Sequence, residues 1–77
     1  MKYNIEKFDI TRDEFEELVR QHIFNEKHRD IFVRRMMDGI TYERLAEEFD
    51  MSRNQIVNII YKCGNKIFPK LEKLIIS

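Results

Sequence analysis

The sequence predicts an all-α protein, a small helical bundle of four to five helices. Three observations carry that expectation. Glycine and proline are scarce, two and one in 77 residues, so the punctuation that a sheet with tight turns needs is missing. Apolar residues recur at spacings of three and four in one segment after another, as half-buried helices require. Two stretches, TRDE at residues 11–14 and SRNQ at residues 52–55, carry the Ser/Thr-x-x-Glu/Gln pattern that closes a helix N-terminus on itself. The length predicts a single domain over residues 1–77. With 43% hydrophobic residues the chain can fill a small core.

Residues 1–10 form a lead-in with Tyr3, Ile5, Phe8 and Ile10 apolar, compatible with an extended strap or a short helical turn. The first helix starts at Thr11, whose hydroxyl can accept from the Glu14 amide while Glu14 reaches back. Ile10 and Phe15 occupy the two positions of a hydrophobic staple. Phe15, Leu18, Val19, His22 and Ile23 then share a face. Asn25 separates this helix from a second, expected over residues 26–37, with Ile31, Phe32, Val33, Met36 and Met37 on its inner side. Gly39 suits the left-handed position that ends a helix. A third helix is expected from Thr41, stapled by Ile40 and Leu45, with Leu45, Ala46 and Phe49 inward. A fourth starts at Ser52, stapled by Met51 and Ile56, with Ile56, Ile59, Ile60, Cys63 and Ile67 inward. Pro69 disfavours helical geometry at Phe68 and suits the first turn of a new helix. The fourth helix is therefore expected to stop near Ile67, and a short helix over residues 70–76 to follow.

The joint between the third and fourth helices is the most informative stretch. Two helices linked by about four residues, with small Ala46 at the crossing and Phe49 and Met51 plugging the corner, predict a helix-turn-helix. The outer face of the second of these helices reads Arg53, Asn54, Gln55, Asn58, Tyr61, Lys62, Asn65 and Lys66. These types suit a major groove: arginine pairs with guanine O6 and N7, and asparagine or glutamine with adenine N6 and N7. Lysines farther along such a helix reach phosphates, and its N-terminal end at Ser52 carries a dipole favourable to phosphate.

Formal net charge is zero, but the charge is unevenly spread. Residues 51–77 hold five basic side chains (Arg53, Lys62, Lys66, Lys70, Lys73) against one acidic, Glu72. The rest of the chain carries the balancing acidic excess. Such asymmetry focuses a positive field on one face of a neutral protein.

Residues 28–67, HRDIFVRRMMDGITYERLAEEFDMSRNQIVNIIYKCGNKI, resemble region 4 of bacterial sigma factors, the module that binds the −35 promoter element. A charged, apolar helix ends at a glycine. Then come Y-E-x-L-A-x-x-F, the F-D-M-S turn and an S-R-x-x-I recognition helix. The aspartate in the turn is a feature shared with primary sigma factors. The resemblance covers residues 27–67 as a core, with residues 1–26 as an N-terminal extension and helix and residues 69–76 as a C-terminal helix. It implies a sequence-specific, DNA-binding transcription regulator of bacterial or phage origin. Arg53, Asn54 and Asn58 fall where the family reads bases. Gln55 and Lys62 fall at backbone positions, and Thr41, Arg44, Ser52 and Lys66 can join them on phosphate. The departures are a less basic recognition helix, carrying Val57, Ile60 and Tyr61, and the lack of a promoter-melting or core-binding region. The alternative is an interaction module that docks on RNA polymerase or a regulator without reading DNA.

Other features point to plain structural roles. The expected partner is double-stranded DNA, with a second copy of the chain meeting Leu71, Leu74 and Ile75 as one way to use the apolar LEKLIIS run, closure of the chain's own core being the other. His22 and His28 fit packing or capping better than a metal site, and no zinc-ligand spacing is present. Cys63 reads as a buried hydrophobe. Glu14, Glu16, Glu17, Glu43, Glu47 and Glu48 read as solvated helix faces, with Glu14 and Glu43 also at positive helix ends. No nucleophile–base pair, phosphate loop or cofactor motif is present, so neither an enzyme nor a cofactor is expected. One cysteine, no signal peptide and no membrane span predict a cytoplasmic protein.

Overall fold

A computed structural model describes the backbone of residues 10–76 and the side chains of residues 10–72. It contains four helices: α1 (Arg12–His22), α2 (Glu26–Asp38), α3 (Tyr42–Phe49) and α4 (Arg53–Ile76). Tyr3, Ile5 and Phe8 of the lead-in lie outside the described residues.

Each helix start is closed by its own side chains. The Glu14 amide donates to Thr11 Oγ1 at 3.2 Å, and the Thr11 amide to Glu14 Oε1 at 3.0 Å. Asn25 accepts from the His28 amide and Thr41 from the Arg44 amide, each at 3.2 Å. At α4 the Gln55 amide donates to Ser52 Oγ at 3.1 Å and the Ser52 amide to Gln55 Oε1 at 2.9 Å. Such caps satisfy amides that have no partner in the helix ladder.

Two left-handed residues end the middle helices. Gly39 (φ 66°) terminates α2 at no steric cost. Asp50 (φ 54°) terminates α3, where the Met51 amide donates to the Ala46 carbonyl at 2.9 Å and the Asp50 amide turns back to Glu47. This bonding pair is a Schellman closure, and it fits because aspartate is among the few residues that tolerate the left-handed well.

One core joins all four helices. Phe15 and Val19 of α1, Ile31, Phe32 and Val33 of α2, Leu45 of α3, and Ile56, Ile59, Ile60, Cys63, Ile67, Phe68 and Leu71 of α4 are buried in a single cluster. Phe32 sits at its centre: its ring stacks on Phe15 at 5.7 Å and meets Phe68 edge-on at 6.1 Å. Helix α4 packs on each of the other three. Its 24 residues span about 36 Å at the usual rise, close to the molecule's longest extent of 39 Å.

The expected break at Pro69 and the separate helix over residues 70–76 are corrected by the structure. α4 runs unbroken through Pro69 to Ile76, so the described residues form four helices and not five. Proline deprives the Asn65 carbonyl of its helical donor and crowds it. Both Asn65 and Pro69 are exposed, so water can serve that carbonyl. On the inner side, Ile67, Phe68 and Leu71 are buried on both flanks of the proline. Their burial, about 1.5–3 kcal/mol for each large side chain, outweighs a penalty of about 3 kcal/mol. Leu71 is 1% exposed and closes the core of its own chain, so it is not open to a second copy. The side chains of Leu74 and Ile75 lie outside the described residues.

Ion pairs tie the helices at the surface. Arg12 holds Asp38 through two bonds of 2.7 and 3.1 Å, linking the start of α1 to the end of α2. Arg34 of α2 pairs with Glu48 of α3, whose other oxygen lies 3.7 Å from Arg44. Among the described residues, no helix is long and apolar enough to cross a membrane.

Candidate nucleic-acid interface

The joint between α3 and α4 is three residues, Asp50 to Ser52, and both of its ends are locked. The Schellman closure fixes the exit from α3, and the Ser52–Gln55 pair fixes the entry to α4. Met51, between them, is partly buried against the core together with Ala46 and Phe49. Ile56, four residues into α4, is fully buried. The first turn of α4 therefore has a defined direction set by both hydrogen bonding and packing.

The other side of α4 faces outward. Arg53, Asn54, Gln55, Asn58, Tyr61, Lys62, Asn65 and Lys66 are all exposed. Asn54, Asn58, Tyr61 and Asn65 follow one another at steps of four, three and four, which places them on one line along the helix. Lys62 and Lys66 run beside that line, without a carboxylate partner among the described residues. Ile60, expected inward, is 5% exposed and belongs to the core. Val57 is half-buried, and Tyr61 is 50% exposed.

The electrostatics of this end differ from the rest. The first turns of α1, α2 and α3 each carry an acidic residue, whereas that of α4 carries none. Its positive dipole end is uncompensated from within its own helix. Thr41 and Arg44 stand at the start of α3, both exposed. The Thr41 oxygen is used as a cap, which leaves its hydroxyl proton available as a donor. Ser52 and Gln55 are less free than expected: each is committed to the other, so their contribution is to hold the helix end.

The structure adds three residues that spacing did not reveal. Arg53 Nε donates to Glu43 Oε2 at 3.1 Å across the joint. The Arg53 guanidinium lies 5.3 Å from the centre of the Tyr42 ring, and that of Arg35 lies 4.3 Å from the same centre. Arg35 also donates to the Ile40 carbonyl at 3.1 Å. The hydrogen bond from Arg53 holds the Glu43 carboxyl below its ordinary range. Glu43 and Arg53 are ten residues apart on different helices, so no helical periodicity couples them. The local trace in the sequence is the Y-E pair that opens α3, well ahead of the turn.

Elsewhere the chemistry is sparse. Cys63 is buried among apolar side chains, which pushes its thiol up to about 11. His22 and His28 are half-buried. Among the described residues no three His, Cys, Asp or Glu side chains converge to hold a metal ion. An open groove of about 620 Å³ runs between α1, α2 and the end of α3, lined by Val19, Val33, Phe49 and charged residues of both signs.

Comparison of the chain with protein-family models, with curated proteins and with solved structures yields no match.

Proposed function

We propose that α3, its three-residue turn and α4 form a helix-turn-helix, and that the protein is a sequence-specific DNA-binding regulator rather than an enzyme. One observation carries this reading. A helix buried along one side exposes on the other a polar surface that begins with Arg53, Asn54 and Asn58 and continues with Lys62 and Lys66. In the proposed complex the first two turns of α4 enter the major groove. Arg53 reads guanine, and Asn54 and Asn58 read adenine, through the edge patterns those side chains match. Lys62, Lys66, Arg44 and Thr41 contact phosphate and fix the register. Ser52 and Gln55 serve the backbone contact indirectly, by holding the start of α4. The similarity of residues 28–67 to sigma factor region 4 supports the same assignment.

Selection of bound duplexes from a random pool tests the proposal. An enriched motif is expected. Arg53→Ala should relax the preference at one base pair by about 1–3 kcal/mol. Lys62→Ala should weaken binding to all sequences alike and reduce the salt slope by about one. A wild-type protein with no salt-dependent affinity for any duplex would sink the reading.

A second reading is a module that docks on RNA polymerase or a regulator without reading DNA. It is favoured by Phe24, whose side chain is fully exposed in the link between α1 and α2, and by the zero net charge. Capture of polymerase subunits beside a mobility shift on random duplex separates the two. Polymerase binding without DNA binding supports the second.

A further inference from the structure

Arg53 is the proposed base-reading side chain that already has a partner in the free protein. Its guanidinium carries five N–H donors in one rigid plane. The bond to Glu43 uses the donor on Nε, at 3.1 Å. The Tyr42 ring lies against the same group, 5.3 Å from its carbon. Both Glu43 and Tyr42 belong to the first turn of α3, while Arg53 opens α4. The contact therefore spans the joint, whose two ends are themselves locked. It leaves the two terminal nitrogens, the donors that a bidentate contact to guanine O6 and N7 takes.

We propose that Glu43 is a positioning residue: it grips Arg53 by its Nε edge, so that the two terminal nitrogens are presented as a pre-set fork for guanine. This rests on the reading of α4 as the DNA-reading helix and deepens it, naming the residue that sharpens the choice Arg53 makes. The arrangement has a double effect. A restrained guanidinium loses less freedom on docking and offers fewer wrong geometries. A carboxylate at the groove also repels phosphate, which lowers affinity for every sequence. Glu43 thus trades general attraction for selectivity, and its removal moves the two quantities in opposite directions.

The test uses the full chain and two duplexes, the selected site and the same site with the Arg53-read guanine replaced. In Glu43→Ala, discrimination between them should fall about tenfold, within the range a bidentate pair supplies. Affinity for random duplex should rise in the same variant. Glu43→Gln can still accept from Nε, so it should keep most of the discrimination while also gaining random affinity. Adding Glu43→Ala to Arg53→Ala should cause no further loss of discrimination. Circular dichroism checks that the variants are folded, and the Arg53 Nε–H resonance should exchange faster in Glu43→Ala than in wild type. Discrimination by Glu43→Ala equal to wild type, with Arg53→Ala impaired, would overturn the positioning role alone. A wild-type protein that selects no sequence would overturn the DNA reading and this role together.

Discussion

Asp50 and Cys63 show how single residues are tuned. Asp50 holds a left-handed conformation (φ 54°) that a glycine would hold without a Cβ. Asp50→Gly should therefore leave stability unchanged or raise it by up to about 1 kcal/mol, and Asp50→Ala should lower it by about 1 kcal/mol. Urea unfolding of the three proteins checks both. Cys63 is a thiol whose ordinary value of 9.0 is pushed to about 11 by burial. The unfolded chain releases this proton first. The stability it contributes is fully present below about 9 and is lost as pH rises through about 11. The thermal midpoint of wild type should fall more steeply across that window than that of Cys63→Ala, and native Cys63 should resist thiol reagents at neutral pH.

At the scale of elements, the features readable in the sequence were those whose physics is local. Thr11 with Glu14 and Ser52 with Gln55 are three residues apart, and both reciprocal caps occur as the spacing predicts. Gly39 ends α2 for a reason internal to glycine. Pro69 was misleading because its local preference is opposed by tertiary packing: Phe68, immediately before it, is clasped by Phe32 of another helix. Glu43 was read as a solvated face because its partner lies on the far side of a turn. The ring cluster of Tyr42 with Arg35 and Arg53 joins three helices and has no period at all. If packing holds α4 straight against its proline, Pro69→Ala should restore the bond to Asn65 and stabilise the protein. The gain should be about 2 kcal/mol, the helical penalty less the entropy that proline removes from the unfolded chain. Chemical denaturation measures it, and a destabilised Pro69→Ala would show that the proline is required where it stands.

For the molecule as a whole, stability depends on one core and on ion pairs that bind its rim. Arg12 lowers the Asp38 carboxyl from its ordinary 3.8, chiefly by hydrogen bonding, and Arg34 lowers Glu48 from 4.5 in the same way. Depressed carboxyls favour the folded state while ionised, so their contribution is present above the unfolded values and is lost as pH falls through the folded ones. The thermal midpoint should hold from neutrality down to about pH 4.5 and decline below it. Asp38→Asn and Glu48→Gln should each flatten that decline, and added salt should weaken it. At the centre, Phe32→Ala should cost about 3–5 kcal/mol, a large share of what a domain this size has.

The edge-on meeting of Phe68 with Phe32 has a mechanical meaning. Phe68 lies fifteen residues beyond Arg53 on the same continuous rod, about 22 Å away at the usual rise. It anchors the far end of that rod, while Ile56, Ile59, Ile60 and Cys63 pin the stretch that leads to the proposed reading tip. Trimming that anchor, as in Phe68→Leu, should therefore lower stability while leaving base choice in the folded molecules as in wild type, because the tip is moored by side chains of its own.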